Sequence, residues 1–146
     1  MDRKIRIVIG KIGLDAHDRG VKLLLITFRD AGMEVVYAGK FLTPEQLVKT
    51  AIDESADIIA LSDHTGAMLT IAIDVVDELK QKGVANSIAV IAGGIIPEED
   101  KPALQQMGVT GLYGQGTPSS VIIDHVRQKG EENRRHRLLS GQHQHG

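Results

Sequence analysis

The chain has no cysteine and no tryptophan, and only two tyrosines and two phenylalanines among its 146 residues. Without cysteine there are no thiolate metal sites, disulfide frameworks or cysteine nucleophiles. So few aromatic rings leave no platform on which nucleic-acid bases could stack. Charge of one sign is missing too: 17 Lys and Arg against 19 Asp and Glu give a net charge of −2 and an isoelectric point near 6.3, no electrostatic footprint for nucleic acid. No apolar run approaches the ~18–20 residues that cross a bilayer, and Met1-Asp2-Arg3-Lys4 leads into a short apolar run rather than a signal-peptide core. A cytoplasmic chain with no membrane partner is the default expectation. The hydrophobic content of 42% suffices for one packed core, and the length corresponds to one domain with no room for a second, catalytic one.

Short runs rich in Val and Ile, at about 5–9, 34–38, 57–61, 87–92 and 111–113, alternate with longer segments of helical period. That alternation predicts a parallel sheet wound with helices on both faces. Five strands in this order predict a flavodoxin-like, Rossmann-like doubly wound sheet with strand order 2-1-3-4-5. The first helix is expected over about 19–31, with Val21, Leu24, Leu25 and Phe28 on one face and Gly32 as its stop. Thr43-Pro44-Glu45-Gln46 carries a capping Thr, a Pro at the first helical position and a Gln at the capping-box position. A third helix fills about 68–81, a fourth opens at Pro97-Glu98-Glu99-Asp100, and a fifth begins at Thr117-Pro118 and fades near Lys129. Residues 1–129 thus form the domain. Beyond Gly130 the composition offers almost nothing to bury, so 130–146 is expected to be disordered or bound to a partner, with His136, His143 and His145 solvated.

All five strands point their carboxyl ends at one rim, where open α/β sheets bind ligands. The loop after the first strand reads Gly10-Lys11-Ile12-Gly13-Leu14-Asp15-Ala16-His17-Asp18-Arg19-Gly20, long for a strand-to-helix connection. It carries a histidine with an aspartate two residues earlier and a lysine four before that aspartate. Such a carboxylate can accept the proton of one ring nitrogen, fix the tautomer and raise the basicity of the other nitrogen toward a metal. The later loops read Ser62-Asp63-His64-Thr65-Gly66, Gly93-Gly94-Ile95-Ile96-Pro97 and Gly114-Gln115-Gly116-Thr117, and their glycines suit close approach of backbone to a bulky ligand. His17 and Lys11 could also be solvated loop residues, Gly93-Gly94 a plain turn, and His64 a loop histidine of no special function.

Other nucleotide and metal motifs fail on these residues. A Walker loop needs Ser or Thr after Gly-Lys, and Ile12 stands there. Gly10, Gly13 and Gly20 are wrongly spaced for a dinucleotide fingerprint. A phosphoacceptor receiver domain needs an acidic pair after the first strand and a lysine after the fifth, where Lys11 and Gly114 stand. The His-Glu-x-x-His pattern of zinc hydrolases is missing.

Asp15-Ala16-His17-Asp18-Arg19-Gly20 resembles the Asp-x-His-x-x-Gly signature of cobalamin-binding domains, with Gly93-Gly94 where that family has its paired glycine. Gly13-Leu14-Asp15, Arg29-Asp30-Ala31-Gly32, Thr43-Pro44-Glu45, Gly93-Gly94-Ile95-Ile96-Pro97 and Gly116-Thr117-Pro118 are similar to stretches of the methylmalonyl-CoA mutase family. The likeness runs from about Arg3 to Gln128. It implies that His17 is the lower axial ligand of cobalt, in place of a displaced nucleotide tail, with Asp15 on its other nitrogen and Lys11 at the far end of the relay. It further implies that Asp18, Arg19 and Gly20 complete the binding loop. The tail would lie in an apolar slot between the sheet and the first helix, near Ser62, His64, Gly93, Gly94, Gly114, Gly116 and Thr117. One departure is visible: the family's Ser-x-Leu after the third strand is Ser62-Asp63-His64 here.

A chain of this kind resembles the small subunit of a two-subunit acyl-CoA mutase of the isobutyryl-CoA or 2-hydroxyisobutyryl-CoA type. The resemblance implies adenosylcobalamin as cofactor and radical rearrangement of an acyl-CoA carbon skeleton. It also implies a hetero-oligomer with a TIM-barrel large subunit that binds the thioester, so no residue of this chain acts beyond tuning the cofactor. A corrinoid carrier for methyl transfer shares the loop but usually has a helical domain ahead of the first strand, where only Met1 to Lys4 stand. A cobalamin sensor or chaperone usually carries a further fused domain. A glutamate-mutase-type small subunit is the nearest alternative.

Overall fold

The computed structural model describes residues 4–13, 19–114 and 116–145, with side chains described over 4–13, 21–114 and 116–135. Five strands, β1 Arg6–Ile12, β2 Glu34–Leu42, β3 Ile58–Asp63, β4 Ala89–Gly94 and β5 Val109–Tyr113, form one parallel sheet in the order β2-β1-β3-β4-β5. The helices between them are α1 Arg19–Asp30, α2 Pro44–Asp53, α3 Met68–Gln81, α4 Lys101–Gln106 and α5 Ser119–His145. The flavodoxin-like topology expected from the alternating pattern is therefore the one found.

Successive strand residues point to opposite faces, which divides the core in two. Val8, Ile59, Leu61, Val90 and Val109 pack beneath α2, α3 and α4, against Leu47, Val48, Met68, Val75 and Leu104. Ile7, Ile9, Ile58, Ala60 and Ile91 face α1 and α5, against Val21, Phe28, Ile122 and Val126. The predicted capping box of α2 forms in full: Gln46 N donates to Thr43 Oγ1 at 3.2 Å and Thr43 N to Gln46 Oε1 at 2.9 Å.

Most strands run further toward their carboxyl ends than the apolar runs indicate. The ladder includes Ser62 beside Gly93 and Asp63 beside Gly94, and β1 runs on through Lys11 to Ile12. Strand pairing is a property of the backbone, so polar and glycine residues that end an apolar run need not end the strand. β2 is the longest, and its extra residues are taken up by two register shifts against β1, with Gly39 at φ +115° and Phe41 at φ +58°. Such bulges carry the edge strand along the start of the first loop. There Gly13 N donates to Leu42 O at 3.2 Å.

The expected end of the last helix needs correction. α5 does not fade near Lys129 but continues to His145, and packing continues past the boundary placed at 129. Gly130 is buried against Ile5, Asn133 Nδ2 donates to Asp57 O at 3.3 Å, and Arg134 Nη2 lies 3.2 Å from Asp57 Oδ2. The polar composition hid this because the helix is held here by an ion pair with a fully buried carboxylate rather than by apolar side chains. No helix among the described residues is long and apolar enough to cross a membrane.

Candidate functional site

At the carboxyl rim a cleft of about 780 Å³ opens between the sheet and helices α1 and α5. Its floor and inner wall are Ala60, Ile91 and Ile122, with Leu23, Leu24 and Ile26 of α1 opposite. The polar groups on it are few: Ser62, His64 and Tyr113 beside the glycines 93, 94, 114 and 116. An apolar slot with a small number of placed polar groups is the usual form of a small-molecule or cofactor site.

β3 supplies one wall, and its last residues do three different things. Ser62 is buried on the cleft, and its carbonyl accepts from Lys11 Nζ at 3.4 Å. Lys11 itself is fully buried, so the solvated-lysine reading of that residue is excluded. Asp63 turns away from the cleft: its carboxylate accepts from Thr65 Oγ1 at 2.7 Å, Thr65 N at 3.2 Å and Ala67 N at 2.9 Å, closing the turn into α3. His64, half-buried, lines the cleft. Of the two unusual residues after Ser62, the aspartate is thus a turn anchor and the histidine a wall residue.

β4 ends in the paired glycines. Gly94 has φ +111°, and a Cβ placed on it would lie 2.1 Å from Asp63 O. Only glycine fits a backbone so close to its neighbouring strand. A Cβ on Gly93 would meet only Tyr113 O, at 3.4 Å, so the constraint there is much weaker. Gly114 and Gly116 line the mouth, whereas Thr117 closes their turn through its Oγ1, which donates to Gly114 O at 2.8 Å. Arg19 and Gly20 begin α1, whose next turns provide Leu23 and Leu24. Asp15, His17 and Asp18 lie outside the described residues.

The wall residues Leu24, Ala60, Ile91, Tyr113 and Ile122 were not singled out from the sequence, since on their strands and helices they read as core. Tyr113 packs edge-on against His125, with ring centroids 5.9 Å apart. Burial pushes the Tyr113 hydroxyl up to about 12, so it stays neutral. Burial, then the Lys129 charge, hold His125 below the ordinary 6.5, with Glu132 opposing. The unfolded chain therefore takes up this proton first as pH falls. Stability from this group is full above the unfolded value and is lost as pH falls below it toward the folded value. Urea midpoints of the wild type should drop between pH 7.5 and 5.5, and His125→Gln should drop less; equal drops would remove His125 as the cause.

The sequence from residue 5 to residue 123 matches the B12 binding domain. This chain belongs to that family. Among similar proteins, the 2-hydroxyisobutanoyl-CoA mutase small subunit of Aquincola tertiaricarbonis is 44% identical over 123 residues, 84% of this chain and 90% of that protein. The pivalyl-CoA mutase small subunit of Xanthobacter autotrophicus is 35% identical over 136 residues, 93% of this chain and 90% of that protein. A crystal structure of a cobalamin-binding protein from Desulfitobacterium hafniense superposes with a TM-score of 0.74 at 23% identity, over 87% of this chain and 60% of that one, and shares the fold. The cleft of this B12-binding domain suits a corrinoid's nucleotide tail: its walls are apolar, its rim glycines admit a close ligand, and the Tyr113 hydroxyl is buried with no hydrogen-bond partner among the described residues.

Proposed function

We propose that this chain is the cobalamin-carrying small subunit of an adenosylcobalamin-dependent acyl-CoA mutase, completed by a separate large subunit of TIM-barrel type that binds the thioester. The observation that carries this reading is the apolar cleft at the carboxyl rim, whose α1 wall, Leu23, Leu24 and Ile26, directly follows the Asp15-x-His17-x-x-Gly20 motif in the sequence. Support comes from the two mutase small subunits, each matched over nine-tenths of its length. Those relatives favour the mutase over a methyl-transfer carrier.

Adenosylcobalamin supplies a carbon-centred radical, chemistry that no amino-acid side chain here provides. The chain's own part is to hold and tune. His17 would hold the cobalt through a ring nitrogen. Asp15 would accept the proton of the other ring nitrogen, which would fix the tautomer and strengthen the donor. Lys11, buried in β1 against the Ser62 carbonyl, would stand at the far end of that relay. The cleft would take the displaced tail out of water, with Ser62 and His64 holding it on the β3 side and Gly93, Gly94, Gly114 and Gly116 admitting its ribose and phosphate.

The test is a visible-spectrum titration of the purified chain with adenosylcobalamin. Binding with the nucleotide base off cobalt and histidine on it is expected, and His17→Ala should abolish the histidine-ligated spectrum. Asp15→Asn should weaken binding less than His17→Ala does. Unchanged spectra in His17→Ala would reject the assignment.

A further inference from the structure

A second groove, of about 330 Å³, opens at the starts of β4 and β5, the end of the strands opposite the carboxyl rim. It runs between the last turns of α3 and the middle of α5, and Leu79, Ile88, Val90 and Met107 give it an apolar floor. Its polar lining is basic. Lys80 of α3 and Lys129 of α5 both line it, against Glu132 as the one carboxylate. Lys129 Nζ meets Glu132 Oε2 at 3.2 Å, and Gln128 Nε2 donates to the same carboxylate at 3.4 Å. Lys80 has no ion-pair or hydrogen-bond partner among the described residues. The groove thus holds one uncompensated positive charge, in a chain whose net charge is −2.

Charge alone would suit any small anion, and the apolar floor narrows the class. An inorganic ion would leave Leu79, Ile88, Val90 and Met107 facing water, whereas a short hydrocarbon chain would cover them. A groove of this volume, apolar at the bottom with a few polar groups around it, is at the small end of the range of small-molecule sites. The geometry points to a second ligand site that takes a short aliphatic carboxylate, its charged end toward Lys80 and Lys129 and its chain on the apolar floor. The site does not depend on the cobalamin reading, which assigns nothing to this edge of the sheet.

His125 is placed to report on it. Its Nε2 lies 3.3 Å from Oγ1 of Thr110, a residue of the groove, and its ring packs against Tyr113 on the other side. Burial, then the Lys129 charge, hold the imidazole below its ordinary value, with Glu132 opposing. A carboxylate that pairs with Lys129 offsets part of that charge, so His125 should titrate at higher pH when the groove is filled.

The experiment titrates hexanoate into the full chain and follows backbone amide and imidazole signals by NMR, with acetate, inorganic phosphate and hexanol as comparisons. Hexanoate should cause saturable shifts at Lys80, Asn86, Thr110 and Lys129 and raise the His125 titration midpoint. Acetate, which lacks the chain, should bind at least about tenfold more weakly, and phosphate and hexanol should also bind more weakly than hexanoate. Lys80→Gln, an exposed change in the last turn of a helix, should keep the wild-type melting temperature and weaken hexanoate binding about threefold to fivefold. Added cobalamin should leave the hexanoate shifts in place. Shifts confined to the rim cleft or displaced by cobalamin, hexanol or phosphate binding as tightly as hexanoate, unaltered affinity in Lys80→Gln, or an unmoved His125 midpoint would each overturn the inference.

Discussion

Gly94→Ala is expected to remove about 4 kcal/mol of folding stability, an unusually large effect for the addition of one methyl group. Two costs coincide at this residue. The backbone sits at φ +111°, which an L side chain rarely adopts, and the new Cβ would lie 2.1 Å from Asp63 O and 3.0 Å from Asp63 C. Those atoms are backbone of β3 and cannot swing aside as a side chain could. The same carbonyl accepts from Ile95 N at 2.9 Å, so any displacement that relieves the clash also breaks the bond that ends β4. Asp63 cannot yield freely either, because its carboxylate ties the turn into α3. Gly93→Ala is the control: its nearest neighbour is 3.4 Å away and its φ is not in the left-handed region, so it should cost no more than about 1 kcal/mol. Urea denaturation of the two variants gives the comparison. A loss below about 1 kcal/mol in Gly94→Ala would show that the paired glycines are not set by this contact.

The effect on ligand binding follows from the same geometry. Gly94 and His64 line one side of the cleft, and the carbonyl of Asp63, the residue before His64, meets Gly94 across the β3–β4 pair. Moving β4 away from β3 would widen the cleft where the tail's sugar and phosphate are proposed to pass. Gly94→Ala protein that remains folded at low temperature should therefore bind adenosylcobalamin more weakly than Gly93→Ala protein does.

What the sequence made legible was governed by how local the cause is. The capping box of α2 depends on residues three apart, and it was readable from Thr43 and Gln46 alone. Sheet order follows from parallel strands alternating with helices, which the Val and Ile runs disclosed. Strand ends were misplaced because Ser62, Asp63, Gly93 and Gly94 keep pairing, and β1 runs on through Lys11, after the apolar pattern stops. The rim glycines and His64 were legible as loop residues with unusual chemistry. The cleft floor was not: Ala60, Ile91 and Ile122 are apolar residues on regular elements, and nothing local distinguishes a residue facing a cavity from one facing the core. Tyr113 carried a faint signal, a rare aromatic ring directly before the Gly114 loop. The division of labour between Asp63 and His64 also needed three dimensions, since only the turn geometry shows that one carboxylate accepts from two amides and a hydroxyl.

The last helix was misjudged for a different reason, and Arg134→Ala tests the correction. A composition rule counts apolar surface, whereas 130–135 is fastened to a charge. Asp57 is fully buried at the amino-terminal edge of the sheet, where it accepts from Arg6 N at 2.9 Å and faces Arg134. Arg134 spans the junction by also donating to Lys4 O, so one guanidinium joins α5 to the start of β1 and to β3. Removing it leaves a carboxylate out of water with part of its compensation gone, and the penalty for breaking a buried pair is several times the worth of a surface ion pair. Arg134→Ala should cost about 2–3 kcal/mol, less than a fully orphaned charge because the Arg6 amide still serves Asp57. Asp57→Asn in the Arg134→Ala background should lose less than Asp57→Asn alone, the non-additivity expected of contacting groups. Because this junction is at the edge opposite the cleft, Arg134→Ala protein held well below its melting temperature should bind adenosylcobalamin as tightly as the wild type. A stability loss under about 0.5 kcal/mol would place 130–135 outside the cooperative fold after all.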